Sequence, residues 1–73
     1  MPEIKIVTEV AGRICATPVQ VGRTVADGDD VVVVEAMKME IPVPSPAAGT
    51  LKSLLVEIDD LVAEGQAIAI VTN

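Results

Sequence analysis

Shifted against itself by 37 positions, without gaps, the sequence matches itself from end to end. Glu3 falls on Glu40, Ile4 on Ile41, Ala11-Gly12 on Ala48-Gly49, Val19 on Val56, Val25-Ala26 on Val62-Ala63, Gly28 on Gly65 and Val34 on Val71. Ile14/Leu51, Val21/Ile58, Asp27/Glu64, Val31/Ile68 and Val33/Ile70 are conservative pairs. These nine identities sit on turn and core residue types, as the copies of one structural unit require. A chain of 73 residues has room for a single hydrophobic core. The two copies must therefore share it, and residues 1–73 read as one domain.

Phe, Tyr and Trp are absent although half the residues are hydrophobic, so Val, Ile, Leu and Ala must fill the interior. β-branched residues suit strands better than helices, and the expected class is all-β. In the first copy, Ile4–Val7 reads as a short strand and Gly12–Val21 as a longer, irregular one interrupted by Pro18. Gly22 and Asp27-Gly28 then supply turns before a strand at Val31–Ala36. The unbroken run Val31–Val34 predicts a strand buried on both faces. Pro42, Pro44 and Pro46 each lack a ladder donor, which places their stretch at a sheet edge or in an extended connection. Gly12, Gly28, Gly49 and Gly65 are expected at turns with positive φ.

If the copies are related by a two-fold axis, the join between them lies at the pole opposite the chain ends. That join is Ala36-Met37-Lys38-Met39. The remaining chemistry is sparse. Five scattered bases against eleven acids, net charge −6, provide no phosphate-binding patch, so nucleic acid is not an expected partner. With no histidine and one cysteine, the chain lacks zinc ligand sets, a disulfide and the usual nucleophile–base pairs. No metal site and no catalytic residues are expected, and Cys15 reads as a small core residue. Met1–Val10 carries Glu3, Lys5 and Glu9, which is not a signal peptide, and no apolar run reaches membrane-spanning length. A cytoplasmic protein without membrane contact is the expectation.

Glu35-Ala36-Met37-Lys38-Met39-Glu40 resembles the attachment motif of biotinyl domains, the biotin/lipoyl attachment family that includes biotin carboxyl carrier proteins. The resemblance extends over nearly the whole chain, through the glycine and valine framework of both copies. It implies a flattened barrel-sandwich of two four-stranded antiparallel sheets with quasi-two-fold symmetry. It also implies covalent biotin on Lys38 at a hairpin tip, with Ala36, Met37, Met39 and Glu35 forming the hairpin that a biotin protein ligase recognises. The function implied is a non-catalytic carrier that shuttles carboxybiotin from biotin carboxylase to a carboxyltransferase acting on an acyl-CoA or 2-oxo acid.

Such a site needs an amine that the ligase reaches while Lys5 and Lys52, placed along strands, stay out of reach. It needs a ligase that removes a proton, since a lysine in water is almost wholly protonated at neutral pH and only the free amine attacks biotinyl-adenylate. It also needs adaptable flanks, which the unbranched thioethers of Met37 and Met39 provide. The chain departs from the family at Asp59, where a second glycine is common, at Arg23, where an acid is common, and at Thr8-Glu9-Val10-Ala11, which replaces a Pro-rich stretch. Equal, gapless copies leave no room for a thumb loop over the biotin. Two rival readings share the fold: a lipoyl carrier of a 2-oxo-acid dehydrogenase system, and an unmodified interaction module whose Lys38 stays free.

Overall fold

The computed structural model describes residues 2–73, and every element in it is a strand. These are β1 (Glu3–Val7), β2 (Gly12–Ala16), β3 (Thr24–Val25), β4 (Asp30–Ala36), β5 (Met39–Pro44), β6 (Gly49–Leu54), β7 (Leu61–Val62) and β8 (Ala67–Thr72). They form two antiparallel four-stranded sheets, ordered β1-β8-β6-β3 and β5-β4-β2-β7, in a molecule 36 × 19 × 18 Å. Exchanging each residue for its repeat counterpart, 37 positions on for the first copy and 37 back for the second, turns the pairing of one sheet into that of the other. Glu3↔Thr72 and Ile6↔Ala69 correspond to Glu40↔Glu35 and Val43↔Val32. The bulges correspond as well, at Ile14/Ala16 and at Leu51/Ser53.

One apolar core lies between the sheets, with Ile14, Leu51, Ile68, Val31, Val32, Val34 and Val71 fully enclosed. In β4 the bulge at Asp30/Val32 interrupts strict alternation, which lets the consecutive Val31 and Val32 both turn inward. Val33, the valine of the run on the outer face, is half-buried, which corrects the expectation: the run is enclosed on its inner face and only partly covered on the other. β5 is an edge strand, as its prolines require. The longer strand expected over Gly12–Val21 ends at Ala16, ahead of Pro18, and the two-residue β3 beyond it carries the buried Val25.

Symmetry persists where the residue types differ. The turns at Ala26–Asp29 and Ala63–Gln66 are closed by a side-chain oxygen on the first residue's N–H, from Asp29 in one copy and Gln66 in the other. Thr8 and Ser45, both buried, donate their hydroxyls to the carbonyls of Val10 and Ala47.

The glycines divide into two kinds. Gly28 and Gly65 turn with φ of 93° and 84°, as expected. Gly12 and Gly49 correct the expectation: they lie in strands and are required by close approach. A Cβ on Gly12 would stand 2.3 Å from the Glu35 carbonyl oxygen, and one on Gly49 would stand 2.4 Å from that of Thr72. Cys15 is also corrected, being half-buried. Its neighbour Ile14 takes the inward position, and its counterpart in the second copy is the exposed Lys52.

At the join, β4 and β5 form a hairpin in which Ala36 pairs with Met39 across a two-residue turn. Both turn residues are left-handed, Met37 at φ 52° and Lys38 at φ 64°. Positive φ at both central positions is the primed turn that matches the twist of a two-residue hairpin. Asn-Gly is the preferred occupant, and two residues with bulky side chains hold the geometry at a cost of about 1 kcal/mol or more each.

Two outcomes follow for thermal unfolding. Gly12→Ala, whose methyl meets backbone, should destabilise by about 2 kcal/mol or more, whereas Gly28→Ala, which has open space and only the left-handed penalty, should cost about 1 kcal/mol. Equal losses in the two variants would refute the close-approach account. Replacing Met37-Lys38 by Asn-Gly should raise stability by about 1–2 kcal/mol, read as a Tm higher by several degrees; a Tm at or below that of the parent would show that the turn is unstrained.

Candidate functional site

The register across the second sheet determines what surrounds the hairpin tip. Beyond the bulge, successive β4 residues alternate faces, so Val34 points into the core while Glu35 faces outward, and Ala36 is the last residue before the turn. The turn then carries Met37, Lys38, Met39 and Glu40 into solvent together. Met37 is 95% exposed and Met39 64%, far from the burial usual for methionine. Both therefore stand beside Lys38 as free apolar surface, and neither serves the core.

Accessibility alone does not single out Lys38. Lys5 on β1 and Lys52 on β6 are exposed as well, which corrects the expectation that strands would hide them. The difference lies in setting. Lys52 forms an ion pair with Glu3, and Lys5 borders a groove of about 350 Å³ between the edge strands β1 and β5. Lys38 stands on a two-residue turn whose flanks are already in solvent, so a partner that encloses the tip meets no other strand.

An ion-pair group supports the base of the hairpin, and Arg13 at its centre has no signal in the motif. Arg13 is opposite Glu35 in the β2–β4 ladder, and its Nη2 donates to Glu35 Oε1 at 2.8 Å. Its Nη1 donates to Asp59 Oδ1. The two carboxylates, Glu35 first, raise the Arg13 guanidinium above its ordinary value. Asp59 is the residue that replaces a turn glycine in the second copy. It adopts φ 79°, and its N–H donates to the Ile14 carbonyl as the N–H of Gly22 does to Leu51 in the first copy. The turn keeps its form, and the carboxylate at this position ties it through Arg13 to the hairpin strand.

Among the described residues no group of His, Cys, Asp and Glu is arranged to hold a metal ion, and no helix is long and apolar enough to cross a membrane. The chemistry available at the tip is that of one primary amine on a short rigid turn.

The family described as biotin-requiring enzyme matches residues 1–71. The biotinylated protein TB7.3 homolog of Mycobacterium leprae is 33% identical over 64 residues, covering 88% of this chain and 90% of the relative. The dihydrolipoyllysine-residue succinyltransferase component of the 2-oxoglutarate dehydrogenase complex of Staphylococcus saprophyticus is 40% identical over 77 residues, covering 97% of this chain and 18% of the relative. The crystal structure of Kluyveromyces lactis urea carboxylase superposes with a TM-score of 0.94 at 29% identity, over 99% of this chain and 6% of that one. A duplicated β-unit that presents its join as an exposed lysine hairpin thus has both the sequence and the shape of an attachment module, and the chain belongs to the biotin/lipoyl attachment domain family as a non-catalytic carrier of the biotin carboxyl carrier kind.

Proposed function

We propose that Lys38 is the residue that carries covalent biotin, and that residues 1–73 form one cytoplasmic carrier domain serving a biotin carboxylase and a carboxyltransferase. The observation that carries this reading is the setting of the amine: the two-residue primed turn of the β4–β5 hairpin, with Met37 and Met39 exposed on either side.

In the attachment step the deprotonated Lys38 amine attacks the acyl carbon of biotinyl-adenylate. The new C–N bond forms as the acyl–phosphate bond breaks, AMP leaves, and the ligase takes the amine proton. Lys38 thereby loses its charge. When attached, biotin supplies the ureido nitrogen that bears the carboxyl group. The protein contributes position. The lysine stem and the valeryl chain reach on the order of 14 Å from a backbone held by the β4–β5 ladder, and that tether raises the local concentration of the carried group at a second active site. The strain in the turn fits this role, because the tip holds Met37 and Lys38 in place of the residues its backbone prefers.

The Met-Lys-Met flanks favour biotin over lipoate, and the acceptor substrate of the carboxyl group is set by the transferase. Intact-mass measurement after co-expression with biotin protein ligase should show one biotinyl increment on the parent chain and none on Lys38→Ala. Streptavidin binding retained by Lys38→Ala would refute the site, and a lipoyl increment in cells that make both groups would replace the biotin reading with the lipoyl one.

A further inference from the structure

The two-fold relation contains its own control, because whatever the fold requires at one pole it requires at the other. On the outer face of the second sheet, the register aligns Glu40, Glu35, Arg13 and Leu61 in one row across all four strands. The equivalent row at the opposite pole is Glu3, Thr72, Thr50 and Thr24. Threonine at three of four positions is ordinary for a strand face in contact with water. The hairpin pole carries fixed charge and a leucine instead.

Leu61 is the most informative of these positions. It is 80% exposed, and its neighbour Val62 already supplies the β7 contribution to the core, as Val25 does for β3. Thr24 shows that the fold accepts a polar residue at the equivalent site. Ile58, also exposed, does not discriminate, since its counterpart Val21 is exposed to the same degree, 56% against 55%. Along the row, Arg13 is held between Glu35 and Asp59, so its charge has a fixed position.

We infer that this row is the docking surface for the enzyme that acylates Lys38, with Leu61 as its apolar anchor. The inference rests on the reading of Lys38 as the attachment residue. The occupant follows from continuity: Glu35 and Glu40 are the pair immediately below Ala36 and Met39, so an enzyme that encloses the tip already covers the start of the row. Leu61 lies two strand spacings from Glu35, about 10 Å, well within the breadth of a specific interface. The matching surface is an apolar pocket for Leu61 flanked by basic groups that face Glu35 and Glu40, which a carrier of net charge −6 would also steer toward itself.

Steady-state biotinylation by biotin protein ligase tests this with the parent chain, Leu61→Thr and, at the other pole, Thr24→Leu. Leu61→Thr should raise KM for the carrier about tenfold with kcat unchanged, the effect of losing one buried leucine contact. Thr24→Leu should leave both constants unchanged. Glu40→Gln should flatten the rise of KM with ionic strength. Circular dichroism and thermal unfolding of Leu61→Thr should match the parent. A KM for Leu61→Thr within twofold of the parent overturns the docking surface while Lys38 biotinylation stands. So does a normal KM combined with slowed carboxylation of the attached biotin, which assigns the row to the carboxylase. A parent chain that takes up no biotin at all removes the attachment reading itself.

Discussion

Neither copy of the repeat can bury its own apolar face. Each sheet draws two strands from each copy: β1 and β3 pair with β8 and β6 in one, and β5 and β7 with β4 and β2 in the other. Val34 and Val71, Ile14 and Leu51, and Val31 and Ile68 therefore enter the core as symmetric partners, and the core closes only when both copies are interlocked. With no aromatic side chain to fill space, the interior depends on the close approach of thin strands. Gly12 and Gly49 set that approach, where the absence of a Cβ admits a carbonyl of the neighbouring strand.

The position of Lys38 follows from this interlock. The ladder that joins β1 to β8 near the chain ends is repeated, bulge included, by the ladder that joins β5 to β4. What is a pair of chain ends in one instance is a continuous two-residue turn in the other. A turn in that position has ladder support below it and solvent around it, which suits the carrier arm proposed for Lys38. Its backbone is left-handed at Met37 and Lys38, so local stability is given up at the tip of the hairpin. Rigidity comes from the strands beneath, and the Arg13 bridge to Glu35 and Asp59 extends that support to the neighbouring turn.

Residue type and position diverge at several places in the chain, and in a sheet it is position that decides burial. Cys15 was expected inside because free cysteine is often buried, yet its repeat partner Lys52 already marked the position as outward-facing. Lys5 and Lys52 lie along strands, but outward strand positions are open to solvent, and Lys38 is distinguished from them by its turn. The glycines were all read as turn residues because positive φ is the commoner reason for glycine. Close approach between strands leaves no local mark in the chain.

The amino-acid sequence by itself determined the duplication, the all-β class, the edge placement of the proline stretch and the location of the lysine motif at the join. All of these are written in spacing and residue type along the chain, where periodicity and turn chemistry act locally. Only the tertiary structure decided that Arg13 meets Glu35 and Asp59, residues 22 and 46 positions away, that Gly12 lies against the Glu35 carbonyl, and that Leu61 joins the outward row beside the hairpin. Those relations depend on strand register and on which strand lies beside which. Long-range pairing sets them, and no short stretch of sequence encodes it.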